Sequence, residues 1–381
     1  MPDTSPALTL TLHASIADIE PAVWDACLPQ DNPFVSHDFL LALEESGSAS
    51  ARTGWLPRHA VVRDAAGQVA AVAPMYVKSH SWGEYVFDQG WARAFEQAGG
   101  RYYPKLQIAS PFSPVPGPRL LSRTLPPETL GRALAQACGE MGLSSVHATF
   151  CTAAEATALE RAGWLTREGT QFHWENAGYA DFEAFLATLS SRKRKMIRRE
   201  RREAAAGLEF VTLRGPEIGR AEWDAFYGFY TDTVDRKWGT AYLTRHFFTR
   251  LGERLGESVV LMLARRGREW VAGALNLRGP QALYGRNWGC RGEVPFLHFE
   301  LCYYRAIEFA IAHRLARVEA GAQGMHKIAR GYLPRPTYSA HWIAHAGLRR
   351  AVAAFLREER AQEEAEREAL MALSPFRKEE D

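Results

Sequence analysis

The sequence has few cysteines, and they keep apart. Cys27, Cys138, Cys151, Cys290 and Cys302 are odd in number and never spaced as Cys-x-x-Cys. That pattern argues against a disulfide framework or a zinc site and for a reducing compartment. Long apolar runs are missing too. The longest uncharged apolar stretch, "SVVLMLA" from Ser258, falls far short of a membrane span. Asp3, Asp18, Glu20 and Asp25 occupy the first 30 residues, with no apolar run among them. No secretory signal is expected, and the expected location is the cytoplasm. Excess charge of one sign is also lacking: 46 Lys and Arg against 44 Asp and Glu leave +2 over 381 residues. A uniformly basic nucleic-acid coat is excluded.

What charge there is gathers in one place. "RKRKMIRRERR", residues 192–202, holds eight cations among eleven residues. With Glu200 and Glu203, residues 190–206 sum to +6, so the rest of the chain sums to 2 − 6 = −4. On a 100° wheel, Phe182, Phe185, Leu186 and Leu189 form one stripe, and Met196 and Ile197 rejoin it if the helix runs unbroken. Lys193 then falls inside the stripe, as a buried or cleft-facing ammonium in need of a partner. A fresh helix capped by Ser190 or Ser191 would break that phase. Seven outward cations repel each other unless something anionic comes near, and phosphate is the obvious candidate.

The length predicts two domains, and the chain repeats one plan about 200 residues apart. Residues 58–77 and 258–277 both read as strand, turn, strand. An aromatic strand is expected after each, at 83–92 and 282–290. A helix and a strand follow, at 128–141 and 144–150 in the first half and at 297–313 and 316–322 in the second. The expected fold class is mixed α/β, duplicated in tandem. The expected boundaries are 1–177, 178–346 with the basic helix at its start, and a charged helical tail at 347–381. "REERAQEEAEREAL" in that tail reads as a polar helix projecting from the body.

The densest polar stretch is "RVEAGAQGMHKIARGYLPRPTYSAHW", residues 317–342. A strand ends near Gly321, Gly324 loosens a turn, and His326 and Lys327 open a short helix stopped by Gly331 and Pro334. Such a turn presents free backbone N–H groups to an anion or an oxyanion. Glu319 as base and Lys327 as holder of negative charge, with His326 beside them, would suit acyl transfer to an amine. Arg236, Lys237, Arg286 and Asn287, at element ends, are candidates for lining a cleft. "LHFE" at 297–300 has no Pro-Cys-x-x-Cys after it, and no metal site is expected.

These strings carry a resemblance. Together with "NPFVSHDFLLALEESGS", "GEYVFDQGWA", "RYYPKLQ", "DRKWG" and "PFLHFE", they are similar to the FemAB-like family, described as peptidoglycan biosynthesis or recognition proteins, within the GNAT acyltransferase superfamily. The resemblance spans residues 32–376 and implies two tandem GNAT-like domains plus a C-terminal helix. By it, Lys327 lies where Fem-type ligases carry a lysine thought to contact the acyl donor or the transition state. Arg192, Arg194, Arg198 and Arg199 look like the helix that borders their substrate cleft. One departure stands out. GNAT enzymes bind the CoA pyrophosphate with a Q/R-x-x-G-x-G/A loop, but "CRGEVPFLHF" at 290–299 has one Gly and a Pro, and Pro has no N–H to offer. Aminoacyl-tRNA therefore fits the basic helix better than acyl-CoA as donor, and no cofactor is firmly implied.

The expectation is an N-acyl or aminoacyl transferase acting on an amine acceptor, with a peptidoglycan precursor as candidate acceptor. Its site is expected in the second half, where Gly321 and Gly324 shape the turn and Lys193 and the arginines hold phosphate. Two other readings stand beside it: a CoA-dependent N-acetyltransferase with an altered loop, and a non-catalytic binding module for cell-wall precursor or RNA.

Overall fold

In the computed structural model, residues 8–29, 32–237, 239, 241–322 and 324–377 are described. They form two compact units whose chain segments alternate: Met1–Gly169 with Thr337–Glu363, and Thr170–Pro336 with Glu364–Asp381.

The first half of the chain runs β1 (Thr9–His13), α1 (Pro21–Asp25), α2 (His37–Glu45), β2 (Trp55–Pro57), β3 (His59–Arg63), β4 (Val69–Ala73) and β5 (Met75–Lys78). It continues with α3 (Gln89–Gln97), β6 (Lys105–Ile108), β7 (Leu121–Ser122), α4 (Pro127–Glu140), β8 (Ser145–Cys151), α5 (Ala153–Arg161) and β9 (Leu165–Glu175). Helix starts follow local chemistry: Pro127 sits in the first turn of α4, and Thr152 with Glu155 makes a capping box on α5.

In β5, β6 and β8 the residues alternate between two faces. Met75, Leu106, Ile108, Val146 and Ala148 enter an apolar core under α4 and α5, with Leu130, Leu134 and Leu159. Tyr76, Lys78, Lys105, Gln107 and His147 take the other parity, and all are buried. The Lys105 ammonium donates to Ser81 Oγ at 2.9 Å, Glu84 Oε2 at 2.7 Å and Asp88 Oδ2 at 2.5 Å. Lys78 lies 3.7 Å over the Trp55 ring and donates to the Trp82 carbonyl. Residues 83–92 are therefore not the strand expected from their aromatic alternation. Residues 83–88 are a loop, pinned where Glu84 and Asp88 meet a buried lysine, and 89–92 already belong to the first turn of α3.

The second half runs α6 (Phe182–Ala187), α7 (Ser191–Ala204), β10 (Glu209–Arg214), α8 (Arg220–Lys237), α9 (Arg245–Leu255), β11 (Val259–Arg266), β12 (Glu269–Arg278) and β13 (Ala282–Cys290). Then come α10 (Leu297–Phe299), a π turn (Glu300–Tyr304), α11 (Arg305–Ala312), β14 (Arg317–Glu319), β15 (Leu333–Ile343) and α12 (Ala346–Met371). In the second unit the strand order is β10-β11-β12-β13-β14-β9. Val260, Met262, Ala274, Leu283, Val318 and Trp174 point to one face and share a core with α6, α7, α10 and α11. On the other face α8 lies so close that a Cβ on Gly289 would sit 2.0 Å from the Phe229 carbonyl oxygen.

The last strand of each half is built into the other unit. His173 and Trp174 of β9 pair with β14, while residues 340–343 of β15 pair with β8. Helix α12 does not project. In the first unit Leu348, Val352 and Leu356 pack with Trp91 and Tyr102, and Glu359 pairs with Arg167 at 2.6 Å. In the second unit Leu370 joins the core, and Phe376 bridges to Leu189. The charge pairs that look solvated in sequence are partly spent on fixed partners.

Candidate functional site

Strands β13 and β14 run parallel but pair over only three residues, Ala282–Tyr284 against Arg317–Glu319. Beyond that point β13 continues to Cys290, while β14 ends in the glycine turn. The register of β13 against β12 also shifts there, with Leu275 opposite Asn287 and Asn276 opposite Gly285, so Arg286 occupies a bulge. Glu319 is the last residue before the strands part. Tyr284 on β13 and His173 on β9 are its register partners, and directly opposed residues share a sheet face.

Glu319 is 3 % exposed. Arg317 Nε donates to its Oε1 at 2.8 Å, while Oε2 has no hydrogen-bond partner among the described residues. His173 Nε2, also buried and also without a hydrogen bond among the described residues, lies 3.9 Å from that oxygen. Burial pushes the Glu319 carboxyl up to about 7 against the pull of Arg317. Burial, with Arg317, Arg335 and Lys327 nearby, brings the His173 imidazole down to about 3 and keeps it neutral. A carboxylate poised near neutrality beside a neutral imidazole can take and steer a proton.

Gly321 and Gly324, at φ 75° and 107°, carry the chain through a backbone region that other residues adopt only with strain. The 3-10 helix Met325–Arg330 follows. Buried Lys327 donates to the carbonyls of Ala320 at 2.5 Å and Gly321 at 3.1 Å, clamping the end of β14. Burial brings its ammonium down to about 8. No hydrogen bond or ion pair joins Lys327 to Glu319 among the described residues, so the two expected partners meet only through the turn between them. His326 shares a hydrogen bond of 3.0 Å with the Tyr303 hydroxyl on the π turn, and burial with Arg330 and Lys327 pushes its imidazole down.

The basic helix does meet this turn. Arg330 donates to both oxygens of Glu200 on α7, at 2.7 and 2.8 Å, and the Tyr304 hydroxyl donates to the same carboxylate. Helix α7 starts afresh at Ser191 after a break at 188–190. Its buried stripe is Ile197, Glu200 and Ala204. Lys193, one turn before Ile197, is half-buried at the head of that stripe.

The remaining cations divide. Arg194 donates to the Leu189 carbonyl at 2.8 Å, Arg198 pairs with Glu183, Arg199 with Glu203, and Arg201 with Glu300 and Glu308. Among the described residues Arg192, Lys193, Lys195 and Arg202 make no ion pair. Arg236 is spent on the carbonyls of Asp232 and Cys290. The side chain of Lys237 lies outside the described residues. Arg286 and Asn287 are half-buried where β13 leaves β14. His173 was not anticipated, because a single histidine in an aromatic strand carries no signal of its own.

A family model described as FemAB-like, peptidoglycan biosynthesis/recognition, matches residues 15–378. The chain belongs to the FemAB-like family. No curated protein sequence matches this FemAB-like chain. Solved structures do. The C-terminal domain of a putative lysylphosphatidylglycerol synthetase from Agrobacterium fabrum has 9% identity and a TM-score of 0.56, over 90% of this chain and 97% of that one. FemX has 12% identity and a TM-score of 0.54, over 91% and 100%. L-PGS from Bacillus licheniformis has 11% identity and a TM-score of 0.50, over 86% and 98%. Likeness at this identity establishes the fold alone, the mixed α/β fold this chain shares with them. No helix among the described residues is long and apolar enough to cross a membrane.

Proposed function

We propose that this FemAB-like chain is an N-acyltransferase that moves an acyl or aminoacyl group onto an amine acceptor, with its site in the second unit where β13 and β14 part. The observation that carries this reading is the buried Glu319 at the fork, with one oxygen held by Arg317 and the other without a hydrogen bond among the described residues. Transfer to an amine needs a base whose pKa lies near neutrality and that is shielded from water; burial raises Glu319 to about 7 against Arg317 and supplies both conditions. Lys327 spends two N–H groups on the turn, which fixes the end of β14, and keeps a third for the oxyanion of the tetrahedral intermediate. The family description favours a cell-wall precursor as acceptor.

The donor we favour is aminoacyl-tRNA. The unpaired cations of α7 support this choice, since a stripe of free lysines and arginines binds phosphate without reading sequence. Labelled acetyl-CoA and labelled aminoacyl-tRNA, offered in parallel with a lipid-free muropeptide amine, test it. Transfer from tRNA, with binding that weakens steeply as salt rises, is the expected result. Transfer from acetyl-CoA alone overturns the donor assignment. Binding of precursor or RNA with no label reaching any amine overturns the enzyme reading in favour of a recognition module.

A further inference from the structure

The loop over the buried lysine of the first unit is two-sided. Ser81, Glu84 and Asp88 turn inward, and all three accept from the Lys105 ammonium. Three residues converging on one atom wrap the chain around it, so their neighbours Trp82, Tyr85 and Phe87 face away. Those residues are 62, 39 and 68 % exposed. Tyr85 stands at φ 60°, which an aromatic residue holds only where its surroundings enforce it. Phe355 on α12, 46 % exposed, stands beside them. Its ring meets Trp91 at 6.4 Å, and Arg167 lies over Trp91 while donating to the Phe87 carbonyl. Peptide groups at both ends of the loop are already bonded. The Trp82 N–H donates to His80 Nδ1, and the Trp82 and Phe87 carbonyls accept from Lys78 and Arg167.

Exposed charge around these rings is mostly positive. Over residues 79–104 and 345–358, Arg93, Arg101, Arg349, Arg350 and Arg357 are exposed and make no ion pair among the described residues, against exposed Glu96 and Glu358. We infer that the loop is a lipid-docking surface: its aromatic rings enter the headgroup–acyl boundary of an anionic membrane, and the arginines meet the lipid phosphates. Trp and Tyr suit that layer, with an apolar body and a polar tip, and Phe87 supplies apolar depth. Chain that enters lipid must keep its backbone polar groups partnered, a condition that the bonds at Trp82 and Phe87 meet. The area favours lipid over protein. At about 200 Å² for a whole aromatic side chain, the exposed fractions of the four amount to roughly 400 Å². That is half of the about 800 Å² that a specific protein complex takes from each partner. A membrane asks less, because a few inserted rings and a field of anionic phosphates suffice for reversible attachment. No acyl transfer is assumed, so this docking stands or falls apart from the function proposed above.

The full chain is sedimented with vesicles of phosphatidylcholine alone and of equal parts phosphatidylcholine and phosphatidylglycerol. It should pellet with the mixed vesicles, less with the neutral ones, and be released as salt rises. Trp82→Ser with Phe87→Ser, checked for folding by thermal melting, should weaken binding at least about tenfold, the loss of two inserted rings. Trp82→Phe keeps an anchor and removes a reporter. It should bind as before, yet lose most of the tryptophan quenching that phosphatidylcholine brominated high in its chains produces. Arg93→Gln with Arg101→Gln should lower binding to the mixed vesicles only. No pelleting with either vesicle overturns the assignment, as does quenching that is unchanged in Trp82→Phe. Binding that survives in the folded Trp82→Ser, Phe87→Ser variant and vanishes when Arg192, Lys195 and Arg202 are replaced by Gln belongs to α7 and overturns it too. A dimer in light scattering that Trp82→Ser with Phe87→Ser dissociates, with no vesicle binding, gives the patch to a second copy of the chain instead.

Discussion

At the scale of single residues, the fork is governed by two groups moved toward neutrality from opposite sides. Glu319 must be ionised to take a proton, and burial puts that change at about 7, so activity should fall as pH drops through about 7. Lys327 must be charged to hold an oxyanion, and burial puts its loss of charge at about 8, so activity should fall again above about 8. A narrow bell in kcat/KM is the expected profile. Glu319→Gln should lower kcat/KM by about 10²–10⁴-fold and erase the acid limb; a profile whose acid limb survives would remove Glu319 from the base role. Stability offers a second check on Lys327. Its ordinary value is 10.5, so between about 8 and 10.5 the unfolded chain holds a proton that the folded chain lacks. Stability therefore rises with pH across that window. Lys327→Met should flatten the rise in urea midpoints measured at pH 8 and pH 10.

At the scale of elements, the two sides of α7 carry different groups. Its buried side is locked to the glycine turn through Glu200 and Arg330. Glu200→Ala leaves a buried guanidinium without its partner and should cost about 3–5 kcal/mol in denaturant unfolding. The outward side should behave otherwise. Replacing Arg192, Lys195 and Arg202 together by Gln should leave stability within about 0.5 kcal/mol per site. The slope of log binding against log salt for tRNA should drop by about 2–3. An unchanged slope would assign the charge to solvation alone. The sequence made much of this helix legible, because cations at helical spacing declare an exposed face and Met196 with Ile197 declare a buried one. Other elements misled. The aromatics at 83–92 alternate as a strand does, and only the buried Lys105, invisible in a linear reading, explains why Glu84 and Asp88 draw that segment into a loop. The tail read as projecting because partners such as Arg167 lie almost 200 residues away. Glu319 and the turn were legible from glycine spacing, whereas His173 reaches Glu319 only through strand pairing.

At the scale of the whole molecule, each unit contains a strand contributed by the other half of the chain, His173 and Trp174 to one and residues 340–343 to the other. Fragments 1–177 and 178–381, expressed apart, should each lack a strand and aggregate; expressed together they should recover soluble protein, as size-exclusion chromatography would report. Two fragments that fold alone with cooperative melts would contradict the pairing. The same crossing has a consequence for synthesis on the ribosome. The first unit needs residues as far along as Glu363, so it cannot close when its own first 169 residues emerge. Domain-by-domain folding during translation, the usual protection of long chains, is denied to it. Nascent β8 waits with an open edge until β15 is made, which makes this chain a natural client for a chaperone that shields unpaired strands.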